Sequence, residues 1–219
     1  MKRALSEEAK DERRLVILEA ALDEFFERGF AAARTDDIAS RAGVSKGTLY
    51  LYFDSKDAIF KAIVDAFAIQ NLERFEELAE QNESGFETIA AILRQAPRHL
   101  RESYFPRIMK ILIADSKTFP DTVNAYREQV IDRLLRILSS VLIRANKKGE
   151  ISVSDPDLVA RLVIAPIALS SLWNVLFADG DDTPPDIEKL IEAHIEFLRS
   201  GLNFTGELQK NNDAGELTK

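Results

Sequence analysis

The sequence predicts an all-α protein of about nine helices, with a small N-terminal three-helix unit containing a helix-turn-helix, followed by a larger helical domain. Three observations carry that expectation. Apolar residues recur at i, i+3, i+4 and i+7 along nearly the whole chain, the spacing that lines one face of a helix. The interruptions consist of glycine, proline and Asp/Asn/Ser clusters, which stop helices. No alternating polar and apolar run reaches strand length.

Leu18, Ala21, Leu22 and Phe25 keep the helical spacing and Gly29 follows Arg28 as a stop, which predicts a first helix over residues 6–28. Thr35, with Asp36 and Asp37 behind it where the helix dipole favours carboxylates, is expected to cap a short second helix running to Ala42. Gly43 breaks the chain, Ser45 can cap a third helix through about Leu51, and Asp54 or Ser55 with Asp57 opens a long fourth. Further helices are expected near 85–101, 104–114, 119–147, 155–178 and 185–203. They are separated by Asn82-Glu83-Ser84-Gly85, Pro106, Pro120, Gly149, Asp155-Pro156 and the stretch from Gly180 to Pro185. The expected division is 1–53 as the helix-turn-helix domain, with 1–8 flexible, then 54–205, then a polar disordered tail over 206–219.

The 219 residues are 46% hydrophobic, enough to bury a core. Cysteine is absent, which excludes disulfides, thiolate metal sites and cysteine nucleophiles and fits a reducing compartment. The opening MKRALSEEAKDERR lacks the apolar run of a signal peptide, so a cytoplasmic location is expected. The sequence has no nucleophile elbow and no phosphate-cradling glycine loop. His99 and His194 have no carboxylate or cysteine cluster at ligand spacing, so neither an enzyme nor a metal or cofactor is expected. Net charge is −8, with nine Lys/Arg against ten Asp/Glu in residues 1–53 and twenty against twenty-seven beyond. An acidic chain binds nucleic acid poorly through charge alone, so a DNA contact has to come from a local surface of specific shape.

Residues 35–56 have that character. Two short helices joined by a three-residue turn containing glycine are the helix-turn-helix geometry. Ala39 is small where the second helix backs onto the third, and Ile38, Ala42, Val44 and Leu49 can form the core between them. Ser45, Lys46, Gly47 and Thr48 then fall at the exposed start of the third helix, where a recognition helix presents its first residues to base edges in the major groove. Any helical hairpin can show a turn glycine and a capping serine; the tyrosines discriminate. Tyr50 and Tyr52 are two apart on a helix and cannot share a core face, so at least one phenol is exposed and can donate to a phosphate without adding charge. Lys56, in the first turn of the next helix, can reach the same backbone.

At these residues the sequence resembles the TetR family of bacterial repressors. The resemblance is carried by FFERGF (Phe25 to Phe30), TDDIASRAGVSKGTLYLYF (Thr35 to Phe53) and the spaced Lys56, and covers residues 13 to about 62. It implies Thr35 and Lys56 on phosphates, Lys46, Gly47 and Thr48 near bases, and Tyr50 and Tyr52 along the DNA backbone. Leu51 departs from relatives that carry a polar or aromatic residue there. It also implies a homodimer on a palindromic operator. Charge agrees: from Arg34 to Lys61 five cations oppose four acids, so one copy carries only +1. Two copies double the contacts, each neutralised phosphate adding about −0.9 to the log–log salt slope. Half-sites are expected one helical turn or a multiple apart, roughly 34–36 Å per turn.

The resemblance further implies a regulatory domain with a small-molecule effector pocket in each subunit. The helices near 155–178 and 185–203 would pair across the dimer as a four-helix bundle. Ala160, Ala165, Ala168, Ser170 and Ser171 would allow close approach, and the apolar content exceeds what one face needs. The stretch from Leu158 to Ala178 is long enough to span a bilayer. Arg161, Pro166, Ser170, Ser171 and Asn174 interrupt it, so burial by packing and no membrane partner is the expectation. Pro166 is expected to bend its helix. Phe105, Met109, Trp173 and Phe177 are the candidate pocket lining, with Arg107 as the cation for an anionic effector. Each also fits a plain core or, for Arg107, a solvated surface. Beside an effector-released repressor stands one alternative, a DNA-binding protein of the same fold without an effector, acting as an architectural or division-linked factor.

Overall fold

The computed structural model describes residues 6–102, 104–117, 119–177 and 186–202. The expected break at 180–185 and the expected tail lie outside the described residues, as do residues 1–5 of the expected flexible N-terminus. Within the described residues every regular element is helical. Helix α1 is Glu7–Arg28, α2 Thr35–Arg41, α3 Lys46–Tyr52, α4 Lys56–Val64, α5 Gln70–Gln81, α6 Gly85–Leu93, α7 Ala96–Glu102 and α8 Phe105–Asp115. Then come α9 Pro120–Tyr126, α10 Asp132–Lys147, α11 Pro156–Phe177 and α12 Ile187–Gly201. Wider π-helical turns at Asp65–Ile69 and Arg127–Ile131 join α4 to α5 and α9 to α10, so the long fourth helix and the helix expected at 119–147 are each continuous but interrupted. The helix expected at 85–101 is two. Pro97 has no N–H to donate to the carbonyl of Leu93, and the ladder ends there.

The caps follow side-chain chemistry. Ser6, Ser45, Ser55, Ser84 and Asp186 sit in extended backbone at N-cap positions, and each accepts from an amide three residues on. Gly29 ends α1 at φ 79° with its N–H on the carbonyl of Phe25.

The helices pack as two units that interleave in sequence. One comprises Met1–Gln70 with Tyr104–Gln129, the other Asn71–Ser103 with Val130–Lys219. The sequence expectation places one boundary after residue 53; packing groups α4, α8 and α9 with the helices before it. In the first unit α1 touches α2, α4 and α8, and α4 touches α9. Its core is fully buried Ile17, Leu18, Leu22, Phe25, Ile38, Leu49, Ile59 and Ile63. The Phe30 ring sits 4.9 Å from Phe25, 5.8 Å from Phe60 and 4.7 Å from Phe119, centroid to centroid. Arg41 fastens α2 to α1 through Glu27 at 2.5 and 2.8 Å and Glu24 at 3.3 Å. That bonding holds the Glu27 carboxyl below the usual carboxylate range.

In the second unit α10 packs against α6 and α11, and α12 closes on α6, α7 and α11. The Glu150 carboxylate accepts from the amides of Gly85 and Phe86, both at 2.9 Å, placing an anion at the N-terminus of α6. Pro166 lies inside α11 and removes the donor that the Leu162 carbonyl would have used. His194 of α12 brings its Nε2 within 3.1 Å of the adjacent Val163 carbonyl. Burial lowers the pKa of His194 and of His99, so both favour the neutral ring.

Helix α11 is long and apolar enough to cross a membrane by length and composition, yet only 17% of its most apolar window is buried. Leu158, Leu162, Leu169, Leu172 and Leu176 are exposed. With exposed Ala165 they repeat at alternating steps of four and three, a single heptad stripe along one face.

Candidate nucleic-acid interface

The surface around residues 29–56 begins with the loop between α1 and α2. Lys56 Nζ donates to the carbonyls of Phe30 at 2.8 Å, Ala31 at 3.0 Å and Ala33 at 2.9 Å, and lies 5.2 Å from the Phe30 ring centroid. An ammonium carries three protons, and three carbonyls take them. Within the subunit Lys56, expected on a phosphate, holds the loop that leads into Thr35. From the other side the buried Asp115 carboxylate accepts the Phe30 N–H at 2.8 Å. The loop is therefore tied at its carbonyls by α4 and at an amide by α8.

Thr35 is not the N-cap of α2. Arg34 occupies that position in extended backbone without a side-chain cap bond. Thr35 is already helical, and its hydroxyl pairs with the Tyr50 hydroxyl at 3.2 Å. Thr35, Lys46 and Lys56, with Ala33, Arg34 and Asp36, line a hollow of about 270 Å³. Lys46 reaches Asp36 at 2.6 Å, and the hydrogen bond and charge of that carboxylate raise its pKa. Asp36, read from sequence only as a dipole partner, is thus the group from which DNA would have to win Lys46.

Along α3, Ser45 Oγ accepts the Thr48 N–H at 3.0 Å and pairs with the Thr48 hydroxyl at 2.8 Å, so both serve the cap. Gly43 in the turn has φ 64°, which an L side chain resists. Gly47 differs: a Cβ there would meet only Ser45 Oγ at an ordinary 3.8 Å. The fold does not require that glycine, although glycine inside a helix costs about 0.5–1 kcal/mol relative to alanine. Bare backbone at the start of an exposed helix suits the close approach of a ligand. Leu49 is fully buried and fixes α3, Tyr50 is exposed, and Tyr52 is half-buried with its ring 6.4 Å from Phe53.

The five effector candidates divide between the units. Phe105, Arg107 and Met109 lie on α8 in the first, where Arg107 is ion-paired with Asp23 and stacked 5.2 Å from the Phe26 ring. The half-buried Arg107 side chain thus already has an anionic partner within the subunit. Trp173 and Phe177 lie on α11 in the second, rings 4.8 Å apart. Trp173 lines a hollow of about 500 Å³ with Leu100, Ser170, Asn174 and the paired Arg101 and Glu188. A hollow of about 430 Å³ in the first unit, between α4 and α9, had no sequence signal. Phe60, Val64 and Tyr126 form part of its lining, and the buried Tyr126 hydroxyl has no partner among the described residues. Among those residues no group of three or more His, Asp or Glu is placed to hold a metal.

Comparison with known proteins follows the same outline. Residues 17–63 match the family described as bacterial regulatory proteins, tetR family. Residues 87–199, more than half of the chain, match the C-terminal domain of AefR-like transcriptional repressors. The chain is 28% identical over 209 residues to the HTH-type transcriptional regulator TtgR of Pseudomonas putida, covering 91% of this chain and 97% of that one. The SmeT–triclosan complex has a TM-score of 0.75 at 20% identity, over 87% of this chain and 91% of that one. FadR from Bacillus subtilis in complex with stearoyl-CoA has a TM-score of 0.70 at 24% identity, over 85% and 98%. At those identities the two structures share the fold.

Proposed function

Because the chain belongs to the TetR family of bacterial transcriptional regulators, we propose that it is a cytoplasmic, non-enzymatic repressor that binds a palindromic operator as a homodimer and is released by a small molecule. The observation that carries the DNA half is the outer face of α3, fixed from beneath by Leu49 and open over Gly47. Thr35, Lys46, Thr48, Tyr50 and Tyr52 surround it. In this reading Tyr50 and Thr35 act together on the DNA backbone, as their shared hydrogen bond suggests. Lys56 acts by holding the loop beneath them.

The dimer half rests on the leucine stripe of α11. A second copy is favoured over a bilayer because the stripe occupies one face only, while other faces pack on α10 and α12 and the helix carries Arg161 and Asn174. The effector half is supported by the hollow lined by the Trp173 ring and by the ligands held by SmeT and FadR. An effector can shift DNA affinity only by its differential affinity for two arrangements of the dimer, typically about 1–3 kcal/mol.

The test combines sedimentation with fluorescence anisotropy on duplexes recovered by the full-length protein from a randomised pool. A dimer is expected, on a two-fold symmetric consensus whose half-sites lie a whole number of helical turns apart, with affinity lowered by a small apolar or amphipathic compound. A monomer on an asymmetric site would sink the repressor reading, and affinity unmoved by a broad apolar library would remove the effector from it.

A further inference from the structure

We propose that Leu51 is a specificity-determining residue that packs against the C5-methyl group of a thymine in the major groove; this rests on the DNA reading proposed above. Leu51 stands in the last turn of α3 and is 84% exposed, the highest value among the large apolar side chains described. A lone exposed leucine is ordinary on a protein surface. Its placement is what separates it from the others. Leu49 faces the core, and at about 100° per residue the line opposite Leu49 is shared by Gly47 and Leu51, four residues apart. Helical side chains lean toward the N-terminus, so the leucine covers the turn that contains Gly47. The middle of the outward face is then an apolar knob over bare backbone, with Thr48 on one flank and Tyr50 on the other.

The groups able to read polar base edges sit off that line and are partly engaged: Lys46 on Asp36 and the Thr48 hydroxyl on Ser45 Oγ. In the major groove the distinctive apolar feature is the thymine methyl, while G·C pairs present N7, O6 and N4 groups that need polar partners. Leucine offers neither donor nor acceptor. It gains contact with thymine and would leave the polar edge of a G·C pair desolvated and unpaired, so one side chain both selects and excludes.

The experiment uses full-length protein and the consensus recovered from a randomised duplex of about 30 base pairs, long enough for two half-sites. The consensus is resynthesised with deoxyuridine for thymidine at one position per half-site at a time, which removes only the methyl. Wild-type protein should lose about fourfold in affinity at one thymine of a half-site, the worth of one buried methyl, and about tenfold or more when both half-sites are changed. Leu51→Ala should bind the thymine duplex more weakly, discriminate no longer between thymine and uracil at that position, and keep its salt slope; Leu51→Met should retain the discrimination. Circular dichroism checks that both variants fold. Equal uracil sensitivity in wild type and Leu51→Ala, or none at any position, overturns the assignment and leaves the DNA reading standing. A pool that enriches no sequence overturns both.

Discussion

Around residues 29–56 most of the polar side chains already have partners inside one subunit: Lys56 on three carbonyls, Asp115 on the Phe30 amide, Thr35 on Tyr50, Lys46 on Asp36. Along α11 the opposite holds, and a stripe of five leucines faces solvent. The first surface is built in advance, so a ligand meets fixed groups and pays little to order them. The second is completed by burial against something else, and in the proposed dimer each leucine counts twice because the same patch faces itself. In the proposed repressor, a reading head with a local charge of only +1 would depend on both, because the dimer doubles its phosphate contacts.

The comparison breaks most visibly at α11. Leu162→Glu combined with Leu169→Glu should turn the dimer into a monomer in sedimentation and lower operator affinity by at least about a hundredfold, since each buried leucine is worth about 1.5–3 kcal/mol. A double variant that stays dimeric would place the interface elsewhere. At the prepared surface, Asp115→Ala leaves the Phe30 amide without its acceptor and should lower unfolding free energy by about 1–3 kcal/mol in denaturant titration. Asp115→Asn, which keeps an acceptor oxygen, should recover part of that.

Lys56→Met sharpens the same point. It should destabilise the protein by about 1–2 kcal/mol and weaken operator binding with an unchanged salt slope, because the ammonium holds the loop. A slope reduced by about 0.9 per subunit would instead put Lys56 on a phosphate. The smallest effect concerns pH in the second unit. His99 and His194 have folded pKa values below the usual 6.5, so the unfolded chain takes up protons first as pH falls. Thermal stability should therefore be full above pH 6.5 and decline below it, and His194→Gln should flatten the decline.

Much of the fold was legible because helix-making signals are local. Ser45 and Ser55 cap where their spacing suggests, and Gly29 ends α1 as a stop. Thr35 misled for the same reason. A threonine before two aspartates reads as a cap, but the extended residue is Arg34, and the Thr35 hydroxyl pairs with Tyr50 instead of an amide of its own helix. The α6–α7 break was missed although Pro97 announces it.

The sequence by itself determined the helical class, the helix-turn-helix outline of residues 35–53 and the apolar character of α11, because periodicity, caps and composition act over a few residues. Tertiary structure decided which acceptors hold Lys46 and Lys56. It joined Asp115 to Phe30 across 85 positions, seated Arg107 on Asp23, and brought His194 beside the Val163 carbonyl. Such contacts bring together groups far apart in the chain, and nothing in local spacing records which distant partner satisfies a buried donor or charge.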